Sequence, residues 1–250
     1  MTLSSYDLKA FYYTRLGRVA RRIINQRIAE IWSNCNGDRV MGTGYATPFL
    51  QQFSSSSERC FAIMPENAGA HHWPLGNDSK NLSALCDSAR LPIETNSIDR
   101  VLMIHDLEHC DDISATLSEI WRVLKSNGRA LVIVPNRSGF WARSDKTPFG
   151  QGRPFSNFQL CNLLRDHQFV HERTAEALFM PTSAYPPFLK LANTFETIGK
   201  TAFPLLAGVH MVEVSKQVYA RADRGSGSAI VTGAKRGIIP RPVTSSKISS

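Results

Sequence analysis

From Arg39 onward, short apolar runs alternate with stretches whose apolar residues recur at helical spacing, and that alternation narrows the fold more than any other feature. Residues 39–43 and 60–64 have strand character, 97–105 is a longer buried-type run, and 129–134 is the strongest. Between the last two, Ile113, Leu117, Ile120, Trp121 and Leu124 form a helical stripe, with Asp112 as N-cap and Gly128 where a helix would stop. Ser156 and Gln159 have the spacing of a capping box that opens another helix, with Leu160, Leu163 and Leu164 on its buried side. Strands that alternate with helices imply crossover connections and a mainly parallel sheet covered on both faces. In such a sheet the ligand site lies beyond the carboxyl ends of the strands, where the strand order reverses.

The 250 residues carry 29 Lys and Arg against 21 Asp and Glu, and the whole excess of +8 lies in the two ends, 1–37 and 223–250, around a neutral body. Residues 1–37 read as a helical segment. Ser4 and Asp7 have capping-box spacing, and an apolar stripe runs from Tyr12 through Ile23, Ile24 and Ile28 to Ile31, with Gly17 as the expected division between two helices. Arg15, Arg18 and Arg22 share another face. The isoleucine stripe fits a helix packed on a core better than a transit peptide. Residues 38–222 form the expected α/β domain, and 223–250, rich in serine and glycine, a flexible basic tail. The longest clean apolar run, 130–134, is far below the roughly 20 residues of a membrane-spanning helix, so a soluble chain without membrane contact is expected. Five cysteines, each 24 or more residues from the next, fit reduced thiols and a cytoplasmic location.

Four segments could carry chemistry. After the first strand, Gly42-Thr43-Gly44-Tyr45 offers small residues that let a ligand approach the backbone before a helix begins; the segment is neither G-x-G-x-x-G nor a P-loop. The second is Cys86-Asp87-Ser88 with Leu91-Pro92, followed by Ser97-Ile98-Asp99. The third, His105-Asp106-Leu107-Glu108-His109, matches the H-x-x-E-H pattern of zinc proteases. That pattern needs both histidines on one helical face. Here His105 ends a strand and the helical stripe starts only at Ile113, so no metal is expected. The fourth is the long segment 136–156, a candidate substrate loop containing Gly150, in which Arg143 or Arg153 would grip an anionic acceptor, or else a surface loop pinned by Trp141 and Phe149.

The string Asp87-x-x-x-Leu91-Pro92, then Ser97-Ile98-Asp99, then Glu119-Ile120-Trp121-Arg122-Val123-Leu124-Lys125-x-x-Gly128 resembles the class I S-adenosylmethionine-dependent methyltransferases, specifically the small "type 11" domain. The resemblance spans about residues 38–135. It implies a Rossmann-like, seven-stranded, mostly parallel sheet with helices on both faces and an antiparallel last strand, here 209–219. It also implies S-adenosyl-L-methionine as cofactor. Position by position, Gly44 matches the first glycine of the family's loop, with Gly42 and Tyr45 beside it. Asp87, next to Ser88, matches the residue that bonds the adenine amino group, and His105 lies near the point of methyl delivery as the catalytic candidate. Several positions depart from the family: Gly42 stands where the first strand usually ends in an acidic residue, Ala46 and Pro48 stand where the later glycines of the loop fall, and Met64 stands where the ribose-binding carboxylate usually lies, with Glu66 two residues on as its substitute. The expected activity is methyl transfer to an unidentified acceptor. The alternative is an inactive methyltransferase-like binding or regulatory protein. Aromatic and basic residues interleave only in 137–155, so RNA as a partner has little support. The apolar stretch 181–204 is expected either to line the acceptor pocket or to form a homodimer contact.

Overall fold

The computed structural model describes residues 3–74 and 80–218, and the tail expected at 223–250 lies outside the described residues. One sheet contains β1 Arg39–Gly44, β2 Arg59–Pro65, β3 Ser83–Cys86, β4 Ile98–Ile104, β5 Leu124–Pro135, β6 Phe169–Ala177 and β7 Val209–Lys216. Its order is β3-β2-β1-β4-β5-β7-β6; the first five strands are parallel and β7 runs antiparallel to both its neighbours. The chain leaves β1 toward β2 and β3, then crosses to β4 on the other side, so the order reverses between β1 and β4.

Alternate side chains of each central strand feed two separate cores. Val40, Leu102, Ile104, Leu131, Ile133 and Met211 pack under α1 Ser5–Tyr13, α2 Arg15–Ile31 and α3 Thr47–Leu50. Met41, Val101, Met103, Val132, Val134 and Val212 pack under α4 Ile113–Val123 and α5 Asn157–Asp166. Both faces are buried, which is why these strands read as continuous apolar runs rather than as an alternation. The remaining helices, α6 Pro186–Lys190 and α7 Ala192–Ala202, leave Leu191, Ile198 and Phe203 exposed.

Both capping boxes form, at Ser4 with Asp7 and at Ser156 with Gln159, and Asp112 accepts from the Ala115 amide at the start of α4. The N-terminal division falls at Thr14 and not at Gly17. Thr14 ends α1 and caps α2 by accepting from the Gly17 amide. Gly17 serves the corner differently: a Cβ there would lie 2.0 Å from the Phe11 carbonyl oxygen, so glycine lets the two helices close on each other. At the far end of α2, Trp32 Nε1 donates to the buried Glu213 carboxylate at 3.0 Å, and Arg129 pairs with the same carboxylate at 3.1 Å. These bonds fix α2 to β7, and through α2 they set α1 over the carboxyl ends of the strands.

Candidate active site

A cleft of about 380 Å³ opens at the carboxyl ends of β1 to β4, a volume within the usual range of ligand pockets. Gly44 and Tyr45 line it from β1, Pro65 and Glu66 from β2, Asp87 and Ser88 from the turn after β3, and His105 and Asp106 from the turn after β4. Asp111 and Asp112 contribute from the start of α4; Leu3, Ser5 and Leu8 close it from the N-terminal side. The Ser5 amide anchors that cover through a 2.7 Å bond to the Ala68 carbonyl.

Gly44 has φ +69, and a Cβ on it would meet the Ile104 carbonyl oxygen at 2.4 Å and Asp106 Cβ at 2.8 Å. The end of β1 therefore presses directly on the turn after β4, which only glycine permits. The next amide, of Tyr45, donates to Ile104 O at 2.8 Å. The helix that follows, α3, is short. α3 is a single turn with Pro48 near its start and no side-chain cap, and the chain then tightens into a 3₁₀ turn at Gln51–Phe53.

The turn after β4 holds the polar groups. His105 leaves the strand with φ +52, a left-handed conformation uncommon outside glycine and costing on the order of 1–3 kcal/mol. Its Nε2 lies 2.7 Å from the Tyr12 hydroxyl, and its ring packs on Phe149 at 4.8 Å between centroids. Asp106, buried, accepts a short bond from the Thr43 hydroxyl. Burial pushes its carboxyl up to about 6 against the opposing pull of that bond. A 3₁₀ turn, Leu107–His109, brings Glu108 and His109 back to His105, so that one ligating atom of each lies within 4.8 Å of the others. The three residues thus meet without the single helical face assumed for them.

The motif residues of α4 prove to be braces for the segment that follows the turn after β3. Arg122 bonds Glu119 through Nε and Nη2 at 2.8 Å, and reaches the carbonyls of Ile93 at 2.9 Å and Leu91 at 3.0 Å. Glu119 accepts from the Leu91 amide. Together they hold segment 91–95, just beyond Asp87, whose own carboxylate accepts from the Ala89 amide at 2.9 Å. Asp99 takes Lys125 at 2.7 Å and the Arg39 amide at 3.0 Å, joining the starts of β1 and β4.

Of the residues singled out from sequence, Gly44, Tyr45, Glu66, Asp87, Ser88 and His105 come together around this cleft. Gly42 and Met64 do not line it. Gly42 faces α3, where a Cβ would meet Ala46 Cβ at 2.5 Å and Leu50 Cδ1 at 2.7 Å, and Met64 is buried within the sheet. Arg143, Gly150 and Arg153 line no part of it either. Their loop, pinned by the buried Trp141 and Phe149, backs the β4 turn: the Arg153 amide donates to the Glu108 carbonyl at 2.9 Å, and Gly152 lies against the His109 ring. The stretch 181–204 also stays away from the cleft wall. The segment 105–109, Asp106 included, reads from sequence as the mouth of a cofactor cleft, whereas Asp111 and the N-terminal cover were not anticipated.

Residues 39–132 match the model of a methyltransferase domain family. No curated protein matches the chain. Among solved structures, the chain is similar to a SAM-dependent methyltransferase of Thermotoga maritima, a possible histamine N-methyltransferase, at 17% identity over 85% of this chain and 95% of that one, with TM-score 0.59. It is similar to a SAM-dependent methyltransferase of Archaeoglobus fulgidus at 14% identity, 78% and 94% coverage and TM-score 0.54. Phosphoethanolamine N-methyltransferase 2 of Haemonchus contortus, in complex with S-adenosyl-L-methionine, aligns at 14% identity over 86% of this chain and 58% of that one, with TM-score 0.55. These likenesses establish the fold, a Rossmann-like methyltransferase architecture, and residues 39–132 carry the match to the methyltransferase domain model.

Proposed function

We propose that the cleft between Gly44 and Asp87 holds S-adenosylmethionine and that the acceptor is a neutral nucleophile, an amine attacking as the free base before all others, on a molecule without negative charge. The observation that carries this reading is the charge of the wall: Glu66, Asp87, Asp106, Asp111 and Asp112 line the cleft, with no Lys or Arg among the lining residues. That wall suits a sulfonium with an α-amino group and repels phosphate-bearing acceptors. The residues fit the cofactor on their own chemistry. Gly44 leaves room where any side chain would collide, Asp87 accepts from an exocyclic amine, Glu66 is placed for ribose hydroxyls, and Asp106 stands beside the glycine turn.

When bound, the cofactor supplies a methyl group already activated on sulfur. The chain's residues therefore need to align and desolvate the acceptor more than to move protons. His105 is suited to alignment, because Tyr12 engages its Nε2 and its Nδ1 faces Glu108 at 3.2 Å. Leu3 and Leu8 exclude water from the same side. The five free, scattered cysteines support a reducing compartment such as the cytoplasm. The binding-only alternative draws on the one-turn α3, which shortens the amide cradle next to Gly44.

Calorimetric titration with S-adenosylmethionine and its demethylated product tests the binding site. Asp87→Ala and Asp106→Asn should each weaken binding by roughly 10- to 100-fold, the worth of a hydrogen bond to a charged group. No heat at millimolar ligand, or unchanged affinity in both variants, overturns the site. With binding intact, methyl transfer to phosphorylated acceptors in preference to amines overturns the acceptor class, and the absence of turnover on either favours the binding-only alternative.

A further inference from the structure

Glu108 is 2% exposed and neither of its carboxylate oxygens has a hydrogen-bond partner. Two neighbouring atoms share that condition, Nδ1 of His105, itself 4% exposed, and Nε2 of His109. Nine in ten buried polar groups are bonded, and a carboxylate removed from water without donors is costly. Four buried atoms without a hydrogen bond within one turn, two of them (His105 Nδ1 and Glu108 Oε1) facing each other at 3.2 Å, therefore mark a place built for something else. All four are ligating atoms with lone pairs, when His105 and His109 are neutral and each carries its proton on the other nitrogen.

We propose that His105 Nδ1, a Glu108 carboxylate oxygen and His109 Nε2 bind one divalent transition ion of the zinc class. Two imidazoles and one carboxylate are a donor set of catalytic zinc sites, which keep a further position open. His105 and His109 both line the cleft, so an ion held by them has an entry path and an open side. His105 Nδ1 and Glu108 Oε1 are already 3.2 Å apart, close to the separation of about 3.3–3.5 Å that ligand distances near 2.1 Å impose on a tetrahedron. All three donors fall within 4.8 Å, and side-chain rotation closes the rest.

The outer shell is also in place. Tyr12 Oη at 2.7 Å from His105 Nε2 can accept that ring's proton and leave Nδ1 free to ligate, as outer partners of ligating histidines do. The loop 149–153 fixes the other two: the Arg153 amide holds the Glu108 carbonyl, and a Cβ on Gly152, which has φ +88, would come within 2.9 Å of the His109 ring. The ion would be held by side chains of the β4 turn alone, so the site stands whether or not the cofactor reading does.

The test uses the full chain, stripped with a chelator and titrated with zinc chloride against a chromophoric competitor. One ion per chain is expected, with affinity falling at least about 100-fold in Glu108→Gln and His109→Ala, and about tenfold in Tyr12→Phe, in line with outer-shell losses. Wild-type protein that takes up no zinc overturns the site, as does binding of full strength in both ligand variants. Should the variants fail to fold, cobalt(II) in the wild type decides: visible bands of a four- or five-coordinate nitrogen–oxygen site are expected, and thiolate charge-transfer bands, which this site cannot give, overturn it.

Discussion

β1 and β4 lie side by side at the point where the strand order reverses, and they end in opposite ways. β1 closes on Gly42-Thr43-Gly44-Tyr45, with no ionisable group before the tyrosine. β4 closes on His105, Asp106, Glu108 and His109, four titratable residues out of five, three of them buried. Where the family usually carries a carboxylate on the first strand, this chain sets Asp106 beside Gly44 from the neighbouring strand and ties it to β1 through the Thr43 hydroxyl. Charge can be delivered from either side of a cleft, because a carboxylate acts through space. The absence of a side chain cannot be delivered from elsewhere, because the close approach of β1 to the Ile104 carbonyl is a property of one backbone position.

The harshest way to break this comparison is to give β1 its acidic residue back. Gly42→Asp should destabilise the chain by on the order of 5 kcal/mol, since the new side chain runs into Ala46 and Leu50 and leaves a carboxylate buried without a donor. Urea denaturation reads the loss, and calorimetry should show no gain in cofactor affinity. A stable Gly42→Asp protein that binds the cofactor more tightly would mean the charge has not moved to β4 at all.

Next in size is the pair Gly44→Ala and Gly37→Ala, both at positive φ. At Gly44 a Cβ meets the Ile104 and His105 carbonyl oxygens at 2.4 and 2.8 Å, whereas at Gly37 nothing lies within 4 Å. Backbone strain alone should cost about 1 kcal/mol at Gly37; strain with overpacking should cost about 3 kcal/mol at Gly44. Denaturation midpoints at constant m separate the two. Equal losses would show that the β1–β4 contact gives way on demand, and the glycine would lose its special standing.

The same contrast explains what could be read from sequence. β1, β2, β4 and β5 announced themselves as apolar runs because both faces of the sheet are buried there. β3 is four residues at the sheet edge with Ala84 and Leu85 exposed, and it has no periodicity to detect. Gly44, Asp87, Glu66 and His105 line one cleft because the connections between parallel strands put them at neighbouring strand ends. Gly42 does not line the cleft because it lies on Val40's face of β1, toward α3. The meeting of His105, Glu108 and His109 was hidden by one left-handed residue, as no local pattern foretells φ +52 at a histidine. The N-terminal cover was hidden for another reason: Leu3 and Leu8 reach the cleft only because α2 is fixed to β7 far along the chain.

The mildest test asks whether β4's side also holds the turn that carries Asp87. Arg122, near the end of α4, spends its guanidinium on Glu119, on the carbonyls of Leu91 and Ile93 and on the Thr95 hydroxyl, at 2.8 to 3.0 Å. A lysine keeps the charge and loses the planar fork, so Arg122→Lys should release part of this set rather than reproduce it. The group is partly exposed, so solvent and salt limit what the ion pair contributes, and a loss of about 1 kcal/mol in denaturation is expected. Affinity for the demethylated cofactor should fall several-fold with it, because the loosened segment 91–95 adjoins Asp87, whereas a change at an unrelated surface arginine would leave that affinity alone. If Arg122→Lys lowers stability with affinity intact, the adenine-side turn is held by its own Asp87–Ala89 bond, and α4 supports the sheet without reaching the site.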